Sequence, residues 1–103
     1  MKLAIFAMTD VAKVAGVAQA ADKVWASPPP GVKVLAAYSC QGLAFPGVLP
    51  NTLVSFRIVE AESNEALAAV AWPITVAGAS VWNVPILELP AVGVAELEES
   101  LRG

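Results

Sequence analysis

A permanent charge in the middle of an apolar strand is the feature of this sequence most capable of chemistry. Arg57 stands in the run Thr52–Glu60, whose alternating rows read Thr52, Val54, Phe56, Ile58 and Leu53, Ser55, Arg57, Val59. A guanidinium withdrawn from water is costly unless an anion or a set of acceptors meets it. Two outcomes follow, depending on where the row points. If it lines a cavity, Arg57 presents a planar fork suited to a ligand carboxylate or phosphate. If it faces covering helices, the side chain reaches for a strand end or pairs with Glu60 or Glu62.

Tyr38, Trp82 and Asn83 complete the candidate ligand-lining set. Tyr38 and Asn83 can orient a ligand by hydrogen bonding, while Tyr38 and Trp82 equally suit a subunit interface, where aromatic residues dominate burial. The chain has no histidine and a single cysteine, Cys40. Without histidine there is no Ser-His-Asp triad, no His-ligated haem or zinc, and no usual general base near neutral pH. No metal or cofactor is expected. Cys40 has no neighbouring histidine or cation to activate it, and it reads as an inert thiol. A lone cysteine makes no intrachain disulfide, which fits a reducing, cytoplasmic setting. Trp25 and Trp72, near the ends of helical stretches, read as core or rim packing. Glu60 and Glu62 lie at a strand–helix junction and read as solvated, not as a glycosidase-type pair. The Gly42–Gly47 segment does not lead from a strand into a helix, so it is no phosphate loop.

The elements that hold these residues follow from periodicity. Leu3–Met8 is a short apolar run and reads as a first strand, with Thr9 or Asp10 placed to cap a helix over Val11–Trp25. Ser27-Pro28-Pro29-Pro30-Gly31 ends that helix. Val32–Cys40 alternates as a second strand, with Val32, Val34, Ala36, Tyr38 and Cys40 on one face. Gln41–Asn51 is a long loop, and Thr52–Glu60 is the third strand. Ser63 or Asn64 caps a second helix predicted to run to about Trp72, where Pro73 stops or kinks it. Ser80–Leu89 is the fourth strand, and Pro85 within it demands a sheet edge or a bulge. Val94–Arg102 is a short acidic terminal helix. The order βαββαβ plus a tail helix is that of a single α+β, ferredoxin-like domain over residues 1–103, with a four-stranded antiparallel sheet.

Composition narrows the partners. Net charge is −3 and the six basic residues are scattered along the chain, so no stripe of cations exists to track a nucleic acid. Glu60, Glu62 and Glu65, and then Glu96, Glu98 and Glu99, read as solvated helix starts and a polar tail. The start of the chain imitates a secretion signal, but Asp10 and Lys13 interrupt its apolar core. The charge-free stretch Ala66–Leu87 is long enough to cross a bilayer, yet it contains Pro73, Gly78, Asn83 and Pro85 and changes period halfway, which excludes a span.

Hydrophobic residues nevertheless make up 57% of the chain and charged ones only 15%. Nearly every predicted strand is apolar on both rows, whereas helices of a ferredoxin-like unit cover only one sheet face. The second face requires a cover, and another copy of the same chain supplies one. At about 25 cal/mol per Å², a few hundred Å² of further apolar burial favours such a homodimer by several kcal/mol before association costs.

Several stretches carry a likeness to known proteins: Pro30-Gly31-Val32-Lys33, Phe56-Arg57-Ile58-Val59-Glu60-Ala61-Glu62-Ser63, Trp72, and Trp82-Asn83-Val84-Pro85-Ile86-Leu87. In these, covering the later two thirds of the domain, the chain resembles a family of small, functionally uncharacterised bacterial proteins of the dimeric α+β barrel type. The first strand and helix match only in type. The resemblance implies a homodimer with two sheets packed face to face and carries over no catalytic residue. Enzymes of related fold, such as cofactor-independent monooxygenases, use His, Asn, Arg or Trp pockets, and this chain lacks the histidine. Two functions are therefore expected: a homodimer binding a small apolar or carboxylated ligand, in a binding or regulatory role, or a cofactor-independent monooxygenase- or isomerase-like enzyme acting on a small hydrophobic substrate.

Overall fold

The computed structural model describes all residues, 1–103. Strand β1 spans Lys2–Asp10, and a single 3₁₀ turn at Val11–Lys13 leads into helix α1, Val14–Ala26. Strands β2 (Val32–Ser39) and β3 (Thr52–Ala61) flank the long loop, followed by helix α2 (Asn64–Ala77), strand β4 (Ser80–Pro85) and helix α3 (Val94–Arg102). The fold is α+β: a four-stranded antiparallel sheet in the order β2-β3-β1-β4, compatible with a ferredoxin-like arrangement.

Local chemistry sets the boundaries. Asp10 caps the turn after β1, its Oδ1 accepting from Ala12 N at 2.8 Å, and Thr9 is left buried on the strand. Ser63 caps α2 by accepting from Ala66 N at 3.1 Å. Helix α2 continues through Pro73 to Ala77, a turn beyond the predicted stop. The carbonyl that Pro73 leaves unpaired, that of Ala69, belongs to an exposed residue and can be served by water. Gly78 ends the helix at φ +122°, where an L side chain is strained.

Strand β4 lies at the sheet edge and stops at Pro85, short of the predicted Leu89. Ile86 N donates to Lys2 O at 3.2 Å. Pro85 therefore occupies the adjacent non-bonded pair opposite Leu3, where no amide is required of it.

The covered face of the sheet carries Leu3, Ile5, Val59 and Ala61, packed against Val17 and Val24 of α1 and Leu67, Val70 and Ile74 of α2 in one apolar core. Strand β2 departs from strict alternation. A bulge between Val34 and Ala36 shifts its register against β3, so Val32 and Val34 share the covered side with Ala37 and Ser39. Lys33, Ala36 and Tyr38 take the other. The predicted single row from Val32 to Cys40 is thereby split, since the extra residue of a bulge reverses everything after it.

The opposite face has no helix over it. Tyr38, Phe56, Phe6 and Trp82 stand in register, one from each strand. Their rings meet at centroid distances of 5.2 Å (Tyr38–Phe56), 5.3 Å (Phe6–Phe56) and 5.5 Å (Phe6–Trp82). No helix of the structure is long and apolar enough to cross a membrane.

Candidate functional site

Arg57 faces the helices. Cross-strand partners share a face, and Arg57 stands opposite Ile5 and Ala37 on the covered side. Its guanidinium carbon lies 4.8 Å from the ring centre of Trp25, the stacking geometry of a cation on an indole. Trp25 comes from the last turns of α1 and packs on the core, and its Nε1 is buried without a hydrogen-bond partner. Glu60 projects from the opposite face of β3 and pairs with the amino terminus at 3.5 Å. Glu62 is exposed beyond the strand end. Neither carboxylate meets Arg57, because the alternation that sends Arg57 inward sends Glu60 outward.

The surroundings of Arg57 form a cleft of about 220 Å³ between α1 and the β2–β3 half of the sheet. Val14, Val17, Ala18 and Ala21 give it an apolar wall, and Thr9, Ser39 and Ser55 bring three hydroxyls to its floor. Asp22, on the exposed side of α1, stands at the same cleft. Burial pulls the Arg57 guanidinium below its ordinary value and the Asp22 carboxylate opposes that shift. Even so, Arg57 and Asp22 do not come within ion-pair distance, and no donor of Arg57 finds a protein acceptor. The result is a half-buried cation, stacked on an indole, with its fork uncommitted. Such a fork can take one carboxylate in two parallel hydrogen bonds.

The other predicted site residues do not join it. Tyr38 and Trp82 lie on the uncovered face, at the two ends of the aromatic row. Asn83 is exposed on the edge strand β4, opposite Ile5, two strands away from Arg57 in the sheet order, with Ile5 between them. The expected four-residue pocket is thus divided between two faces and an edge. Trp72, read as packing, is 71% exposed on the outer side of α2. Thr9, Ser39, Ser55, Asp22 and Trp25 were missed as companions of Arg57. Ser55 alone carried a signal, being on the same strand row, since Thr9 reaches the cleft through the β1–β3 register and the rest through the docking of α1 and the bulge in β2. Cys40 directly follows β2, partly buried and free.

No family model matches the chain, and no curated protein matches it in sequence.

Proposed function

We propose that this chain is a homodimeric binding domain of the α+β barrel type for a small carboxylated ligand with an apolar body. The carrying observation is the uncommitted Arg57 guanidinium in the α1–β3 cleft, beside three hydroxyls and a wall of small apolar side chains. In that environment a carboxylate gains a charge-assisted bidentate contact that water screens poorly. The apolar remainder of the ligand lies along Val14, Ala18 and Ala21. The cleft is smaller than a drug-sized pocket, which favours compounds of the size of butanoate or benzoate.

Ligand binding is favoured over catalysis by the chemistry of the lining. Its titratable groups are Arg57 and Asp22. A guanidinium holds its proton and is a poor general acid or base. The aromatic row raises a second reading, because base stacking on an open sheet is a way to bind single-stranded nucleic acid. Its electrostatics oppose that. Lys2 and Lys33 share the face with Glu60, and the chain carries a net −3. The row is better suited to a second copy.

Arg57→Met tests the site, because it keeps most of the side-chain bulk against Trp25 and removes the charge. Titration of butanoate and benzoate should shift the Trp25 indole N–H resonance in the native protein. In the variant that shift should vanish, with the melting temperature held or raised. A variant that binds both acids as the native protein does would dispose of the assignment.

A further inference from the structure

We propose that the segment from Leu87 to Arg102 is an arm that clasps a second copy of this chain. The inference rests on the homodimer reading above and adds to it a specific piece of the interface.

Helix α3 has no buried residue and packs substantially on no other element. It is nevertheless amphipathic: Val94, Leu97 and Leu101 recur at helical spacing on one side, with Glu96 and Glu99 off that stripe. The lead-in turns Leu87 and Leu89 toward the same stripe, and together they line an apolar groove of about 480 Å³. Leu101 is 67% exposed, more than its two neighbours in the lead-in. A nine-residue helix with so little packing on the rest of its chain is too short to persist in water on its own strength. The molecule is correspondingly drawn out, with extents of 47 × 34 × 18 Å and a radius of gyration of 15.5 Å, against about 13 Å for a compact chain of this length.

Area selects the occupant. The five apolar side chains of the groove hold roughly 300 Å² of removable surface at the usual ratio of transfer energy to area. The aromatic row, with Tyr38 exposed and its other three rings partly buried, offers at most roughly as much again. Neither reaches the roughly 800 Å² per partner of a specific interface, whereas the two together approach it. Charge agrees. Glu96 and Glu99 have no cation within ion-pair distance in their own chain, and Lys33, on the uncovered face opposite Glu60, has no carboxylate. In a twofold dimer each arm can bring its glutamates to the partner's lysine, and the contact is made twice. An acidic helix of this kind is also ill suited to an anionic bilayer surface.

The test uses the full chain in sedimentation velocity over a concentration series. Leu97→Ala with Leu101→Ala preserves helix propensity and removes the stripe. The dimer dissociation constant should rise at least about a hundredfold, while the domain keeps its cooperative thermal unfolding and loses at most the helical signal of α3. Lys33→Glu should weaken the dimer about tenfold, and adding Glu96→Lys and Glu99→Lys to the same chain should restore it. A native dimer that the leucine double variant leaves intact overturns the arm and spares the sheet pairing. Failure of the charge-swapped chain to recover overturns the Lys33 contact. A monomeric native chain overturns arm and homodimer together.

Discussion

Arg57 is held in its cleft by what lies above it, and the competing carboxylate there is Asp22. Both act on the same fork, one by stacking and the other through its field. Asp22→Asn should therefore tighten butanoate binding, by about threefold to tenfold at low salt, because the neutral amide no longer competes for the cation. Isothermal titration reads this directly, and weaker binding in the variant would mean that Asp22 itself holds the ligand. Arg57 was legible in the sequence because strand alternation isolates one charge among apolar neighbours. Its true companions were not. Glu60 and Glu62 are near in the chain, but Glu60 leaves from the other face, and Trp25 and Asp22 arrive only when α1 lies across β3.

Among the elements, the two helices differ in how their glycines are used. Gly78 ends α2 at φ +122°, and a Cβ there would meet Lys13 Cδ at 2.9 Å. Gly16, inside α1, has nothing within 4 Å of such a Cβ. Gly78→Ala should lower stability by about 1–2 kcal/mol, mostly from backbone strain. Gly16→Ala should raise it by about 0.5–1 kcal/mol. Urea titration of the pair checks both signs, and a stabilised Gly78→Ala would refute the capping role. The order of elements and the edge position of Pro85 were readable from period and proline chemistry. The bulge in β2 and the passage of α2 through Pro73 were not, because each depends on which backbone groups end up next to water or to a partner strand. Alternation alone placed Tyr38 with Val32 and Val34, and one extra residue moved it across the sheet.

At the scale of the whole molecule, the two layers of sheet and helix bury one face and leave the other lined by aromatic rings. Hydrophobic strands on both rows already required a cover for that face. The unbroken line from Tyr38 through Phe56 and Phe6 to Trp82 needed the register of all four strands to become visible. Tyr38 remains 57% exposed and sits at the end of the row nearest the β2 edge, and in the homodimer proposed above the same row of a second copy is what would cover it. Each ring pair formed across such an interface adds about 0.5–1.5 kcal/mol beyond its area. Multi-angle light scattering of the full chain at micromolar concentration tests this most directly. The expected mass is twice the 10.6 kDa of the chain, and a stable species of 10.6 kDa would contradict it.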